Sequence, residues 1–123
     1  MRALVVDDSR AMRAILNRLL GNIGYEVTTV EGGPEGLEAL VENDPFDLLF
    51  VDWNMPKMNG CEFVKQVRSD PDFASVRIVM CTTETDIKYV NQALEAGANE
   101  YVMKPFTEEI IREKLKLIGA GVL

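Results

Sequence analysis

The sequence predicts a single α/β domain of the (βα)5 type, a five-stranded parallel sheet covered by helices on both faces. Short apolar runs alternate five times with amphipathic segments of helical periodicity. The intervening segments are long enough for the right-handed crossovers that parallel strands require. The length of 123 residues suits one core and is too short for two, so residues 1–123 are read as one domain. No linker, low-complexity stretch or internal repeat interrupts the βα rhythm.

The run "ALVV" (3–6) reads as a buried strand. Met12, Ile15, Leu16, Leu19, Leu20 and Ile23 then recur at helical spacing, and Gly24 supplies the stop. "YEVTTV" (25–30) alternates and is poorer in aliphatic residues, as an edge strand would be. Gly33-Pro34 opens a second helix, proline fitting its first position, with Leu37, Leu40 and Val41 assigned to the inner face. "DLLFV" (47–51) is the third and most apolar strand. Asn59 is placed to cap the next helix with Glu62 three residues on, and Phe63, Val64 and Val67 form its inner face. "VRIVMC" (76–81), a helix carrying Ile87, Val90 and Leu94 and ending near Gly97, and "EYVM" (100–103) follow. The last helix spans about 107–118, with Ile110, Ile111, Leu115 and Ile118 turned inward.

Composition removes several classes of function. A net charge of −7 speaks against nucleic-acid binding, which needs a basic face. The absence of histidine removes Ser-His-Asp and Cys-His catalysis, imidazole metal ligands and phosphohistidine chemistry together. Cys61 and Cys81 form neither a C-x-x-C pair nor a disulfide framework, and Cys81 sits in an apolar run as a buried reduced thiol. No signal peptide and no apolar stretch of membrane-spanning length is present, so a cytoplasmic protein is expected. Separately, a monomer is expected.

In open parallel sheets, ligands bind beyond the carboxyl ends of the strands. The first polar residues after the apolar runs are Asp7 and Asp8, then Asp52, Thr82 and Lys104, while the second strand offers only Glu31 and two glycines. Each alone has an ordinary explanation: a helix cap for Asp7 or Asp8, a turn former at Asp52, a cap or satisfied hydroxyl at Thr82, a solvated lysine at 104. Together they are harder to dismiss, because three carboxylates converging on one cleft repel unless a cation or a proton joins them. Magnesium is the natural partner, since it takes oxygen ligands and is typically held by one or two carboxylates plus a phosphate oxygen. Zinc is disfavoured without histidine or paired cysteines. Lys104 then provides positive charge for an anion and Thr82 a hydrogen-bond donor, which makes a phosphoryl-transfer site. Asp52, on the central strand, is the best candidate phosphoacceptor.

On "VVDDS" (5–9), "FVDWNMPKMNG" (50–60), "VMCTTE" (79–84) and "EYVMKPF" (100–106), the chain resembles the receiver domain of two-component response regulators, and within it the single-domain chemotaxis regulators of the CheY type. The resemblance covers essentially the whole chain. It implies the flavodoxin-like (CheY-like) three-layer fold with strand order 2-1-3-4-5, an order taken from the family and not from the residues. It further implies that Asp7 and Asp8 hold Mg2+, that Asp52 is phosphorylated and also ligates the metal, and that the backbone carbonyl of Asn54 is a further ligand. Lys104 would pair with the phosphoryl group, and its peptide bond to Pro105 would be cis. Thr82 and Tyr101 would form the switch, reshaping the surface of the fourth helix, fifth strand and fifth helix. Asn54 and Glu84 would tune dephosphorylation. The implied partners are a sensor histidine kinase as phosphodonor, a downstream target such as a flagellar motor switch component, and a phosphatase. One departure stands out: Thr83 occupies a position where the family usually has alanine or glycine.

Three other readings compete. A magnesium-dependent phosphatase using an aspartate nucleophile needs a second aspartate two residues on as acid and base, and this chain has Asn54, which transfers no proton at neutral pH. An FMN-binding flavodoxin-like protein needs a Ser/Thr/Gly-rich phosphate loop where "DDSR" would repel the phosphate. A phosphorelay intermediate, or a receiver acting outside chemotaxis, is compatible with the residues. The expectation is therefore a signalling switch that catalyses only its own phosphorylation and dephosphorylation, without membrane or nucleic-acid partners.

Overall fold

A computed structural model of the chain describes residues 1–43, 45–83 and 87–122. In chain order the elements are β1 (Arg2–Val6), α1 (Arg10–Ile23), β2 (Glu26–Val30), α2 (Gly33–Glu42), β3 (Leu48–Asp52), α3 (Gly60–Ser69) and a 3₁₀ turn (Pro71–Phe73). They continue with β4 (Arg77–Thr82), α4 (Ile87–Ala96), β5 (Glu100–Met103) and α5 (Glu108–Leu117). All pairings are parallel and the strand order is β2-β1-β3-β4-β5, the flavodoxin-like arrangement implied by the resemblance. β3 is central and buried along its whole length, whereas β2 lies at an edge, as its alternating sequence requires.

Successive residues of a strand face opposite sides of the sheet, so the core divides in two. Ala3, Val5, Leu48, Phe50, Val79 and Cys81 pack with Leu16, Leu20 and Ile23 of α1 and Ile111 and Leu115 of α5. Leu4, Val6, Leu49, Val51, Ile78 and Met80 pack with Leu40, Phe63, Val64, Val67 and Ala93 from α2, α3 and α4. Ser9, Asn59 and Thr107 cap α1, α3 and α5, each accepting a backbone N–H from the first turn. At the pole opposite the carboxyl edge, Arg68 of α3 donates to the carbonyls of Gly97, Phe73 and Ala74 and to Asn99 Oδ1, tying the α3–β4 and α4–β5 connections together.

Several helix faces differ from expectation. Val41, Leu94, Ile15 and Ile110 are exposed, and the inner faces of α2 and α4 are made by Gly33, Gly36, Ala39, Ala93 and Ala96 with Leu40. Close approach explains the difference. A Cβ on Gly36 would lie 2.8 Å from the Phe63 ring, so the helices meet where side chains are smallest. The side chain of Ile87 lies outside the described set. No helix is long and apolar enough to cross a membrane among the described residues.

Candidate functional site

The register sets the site. Val6 pairs with Val51, and Asp52 pairs with Cys81, so Asp7 and Asp52 emerge side by side at the carboxyl edge. Asp52 and Thr82 are the last residues of β3 and β4 rather than the first residues beyond them, which gives both the rigidity of the sheet. Thr82 pairs with Met103, and its carbonyl accepts the Lys104 N–H at 2.8 Å, which fixes the start of the loop carrying the lysine. Phe106 anchors that loop from the other side, its ring 6.0 Å from that of Phe50. The Lys104–Pro105 peptide is cis, as the resemblance implies.

Past Asp52 the chain must turn sharply. The Trp53 N–H donates to the Cys81 carbonyl, and the Trp53 carbonyl accepts the Gly60 N–H at 2.8 Å, folding the loop back on the strand end. Gly60 is required there, since an added Cβ would strike the Asp52 carbonyl oxygen and lie 2.9 Å from Met80 Sδ. Trp53 is buried with its ring edge-on to Tyr89 of α4, centroids 5.5 Å apart. Asn54, next in the loop, is exposed.

Three polar groups are buried at this edge: Asp7 (1% exposed), Asp52 (5%) and Thr82 (3%). Asp8 is exposed at the rim, and carboxylate oxygens of Asp7, Asp8 and Asp52 lie within 4.8 Å of one another. Lys104 Nζ donates to Asp52 Oδ1 at 3.1 Å and sits 3.5 Å from Asp7 Oδ2. Burial first, and then the charge of Asp7, push the Asp52 carboxyl up to about 6 from its ordinary 3.8, against the pull of Lys104 in the other direction. For Lys104, burial works to lower the pKa, but Asp52, Cys81 and Asp7 outweigh it, and the ammonium ends raised. Burial pushes the Cys81 thiol up to about 12, so it is no nucleophile at neutral pH.

Asp7 is not a helix cap. Ser9 takes that role through its hydroxyl, and Asp7 Oδ1 accepts the Ser9 N–H at 2.8 Å. The other oxygen of Asp7, Oδ2, is buried without a hydrogen-bond partner, with Lys104 Nζ 3.5 Å away. Its one cationic neighbour among the described residues, the Lys104 ammonium, is shared with Asp52. Three carboxylates thus outnumber the single positive charge that meets them, a costly arrangement unless a further cation joins. The three carboxylates offer only oxygen donors, the set that hard divalent cations take. A divalent metal therefore fits the residues present.

The structure thus brings together Asp7, Asp8, Asp52, Thr82 and Lys104. Tyr101 lies elsewhere, on β5, half-buried against the core, with Lys114 Nζ 4.7 Å above its ring. Thr83 is exposed beside Thr82. Glu84 falls outside the described residues. Two supporting residues were not singled out in the sequence: Ser9, legible only as a serine before an apolar helix, and Arg13, whose guanidinium donates to the Asp7 carbonyl at 2.8 Å.

The comparisons with known proteins agree. The sequence profile of the family described as "Response regulator receiver domain" matches residues 3–116. The chain is 47% identical over 119 residues to the chemotaxis protein CheY1 of Helicobacter pylori, covering 96% of each. It is 43% identical over 123 residues to the chemotaxis protein CheY homolog of Campylobacter jejuni, covering 98% of this chain and 95% of the relative. Among solved structures, the chemotaxis response regulator CheY4 of Vibrio cholerae superposes with a TM-score of 0.88 at 36% identity, covering 95% of this chain and 97% of that one.

Proposed function

Because the chain belongs to the response regulator receiver domain family, we propose that it is a magnesium-dependent switch in which Asp52 accepts a phosphoryl group from a histidine kinase. The observation that carries this reading is the Lys104 ammonium, 3.1 Å from Asp52 and 3.5 Å from the Asp7 oxygen that has no hydrogen-bond partner, within a cluster of three carboxylates. An ionised Asp52 oxygen attacks phosphorus in line, forming the acyl–phosphate bond as the bond to the donor's leaving group breaks. Lys104, already beside the nucleophile, follows the charge onto the transferred phosphoryl oxygens. Thr82, buried at the end of the neighbouring strand, supplies a hydroxyl to the same group. Asp7, Asp8, Asp52 and the Asn54 carbonyl are the groups that would hold Mg2+, which when bound neutralises charge between carboxylate and phosphoryl oxygens.

The product is a signal, not a turned-over substrate. Asn54 stands where a phosphatase of related chemistry carries its acid–base aspartate, so the acyl phosphate persists. Asn54 and Glu84 set how long. The output is the α4–β5–α5 face, where Tyr101 packs below Lys114 and where Met103 and Ile110 are exposed. Movement of Thr82 toward the phosphoryl group lets Tyr101 turn inward and changes that face for a partner, a population shift driven by contacts made only in the phosphorylated state. The chemotaxis names of the relatives support a chemotaxis pathway, and the resemblance implies a flagellar motor switch component as the partner in it. The test is a Trp53 fluorescence titration with Mg2+ followed by acetyl phosphate. A magnesium-dependent change and a second, phosphodonor-dependent one are expected; a second change that proceeds equally in EDTA contradicts the proposal.

A further inference from the structure

The loop between β3 and α3 holds a strained residue that the chemistry above leaves without a role. Lys57 has φ of 69°, the only non-glycine at positive φ among the described residues. The Met58 N–H donates to the Pro56 carbonyl across it at 2.8 Å. A hydrogen bond spanning a single residue at positive φ is the rare, strained form of γ-turn. Glycine adopts this shape without the Cβ penalty, so backbone geometry does not account for a lysine. The side chain is exposed and, among the described residues, makes no ion pair. It lines a cavity of about 320 Å³ with Asp8, Glu31 and Glu35, between Pro34 and Pro56. Asp8 belongs both to this cavity and to the acidic site, so the cavity adjoins that site and forms an acidic mouth beside it.

The charges decide what the lysine does. Asp7 and Asp52 face Lys104, Asp8 lies beside them at the rim, and a divalent cation brings this group of four to neutrality. On the rim two further carboxylates remain. Arg13, 4.0 Å from Glu31, offsets one of them. Lys57 is the cation available to the other. Without it the mouth would carry net negative charge across the path of any anionic donor.

We propose that Lys57, held over the acidic mouth by its strained turn, is an electrostatic determinant of phosphodonor selectivity that draws anionic donors in and weakens the hold on the metal. This rests on the phosphorylation reading above. It acts through the charge of the mouth and not by contact with the reacting atoms.

The test compares wild type with Lys57→Gln, Lys57→Arg and Lys57→Gly at saturating Mg2+. With acetyl phosphate at low ionic strength, Lys57→Gln and Lys57→Gly should be phosphorylated about two- to five-fold more slowly, and the difference should fade as salt shortens the Debye length. Lys57→Arg should keep the wild-type rate. With phosphoimidazole, a donor of lower negative charge, the four proteins should converge. In a separate Trp53 fluorescence titration with Mg2+ alone, Lys57→Gln should bind about two- to five-fold more tightly than wild type. Lys57→Gly should unfold at higher temperature than Lys57→Gln, which shows that strain and charge are separate effects. Equal rates for Lys57→Gln and wild type at low salt, or failure of arginine to rescue, would overturn the inference. The metal titration needs no phosphorylation, so a wild type that binds Mg2+ but accepts no phosphoryl group sinks the proposed function and leaves Lys57 still tested.

Discussion

Asp52→Asn should stabilise the metal-free protein at neutral pH. Asp52 is 5% exposed, and its carboxyl is pushed up to about 6 from 3.8, by burial first and Asp7 second. A carboxyl raised in the folded state binds its proton more tightly there than in the unfolded chain. Below the unfolded value both states are protonated and the group costs nothing. Between about 4 and about 6 the unfolded chain ionises first, so stability falls as pH rises, and above that window the cost is constant. A shift of two units corresponds to about 3 kcal/mol, and solvent at the open cleft brings the expected figure to about 1–2 kcal/mol. Asparagine removes the charge at nearly constant shape. In EDTA at pH 7.5, Asp52→Asn should therefore be more stable by about 1–2 kcal/mol, a rise of about 3–8 °C in Tm for a chain of this size. The advantage should vanish near pH 4. Added Mg2+ should narrow it, because the wild type gains binding free energy that the variant partly lacks. Urea unfolding followed by Trp53 fluorescence gives the comparison. A variant no more stable than wild type in EDTA at pH 7.5, or an equal advantage at pH 4, would refute the electrostatic account of this carboxylate.

Other consequences can be measured with the same tools. Lys104→Met leaves Asp52 and Asp7 without their cation and should cost about 1–3 kcal/mol at pH 7.5, less at low pH where Asp52 is protonated, and should abolish phosphorylation. Gly60→Ala drives a Cβ into the Asp52 carbonyl and should destabilise by about 1–3 kcal/mol while lowering Mg2+ affinity, both read by Trp53 fluorescence. Thr83→Ala should speed phosphorylation by acetyl phosphate if the larger side chain narrows access to Asp52; an unchanged rate removes that role from Thr83.

The strands and the candidate site were legible because both depend on period and position. A fully apolar run such as "LLFV" has few solutions other than a central strand, and the residue at its carboxyl end is then placed by the sheet. Helix faces were less legible. Val41, Leu94 and Ile110 read as core by hydrophobicity, yet the helices approach the sheet and one another through Gly36, Ala39, Ala93 and Ala96. Hydropathy ranks side chains by size, whereas close packing selects small ones at the points of nearest approach. Lys57 was invisible for a different reason: nothing in "MPKMN" announces a γ-turn, and a lysine in a polar loop reads as solvated surface. The Arg68 tie between two loops likewise depends on tertiary proximity that no local pattern encodes.

The most direct test of the central claim is intact-mass measurement after incubation with Mg2+ and acetyl phosphate, on wild type and on Asp52→Asn. One added phosphoryl group on the wild type, lost in EDTA and absent from the variant, is the expected result. An unmodified wild type, or an equal increment on Asp52→Asn, would contradict the assignment of Asp52 as the phosphoacceptor.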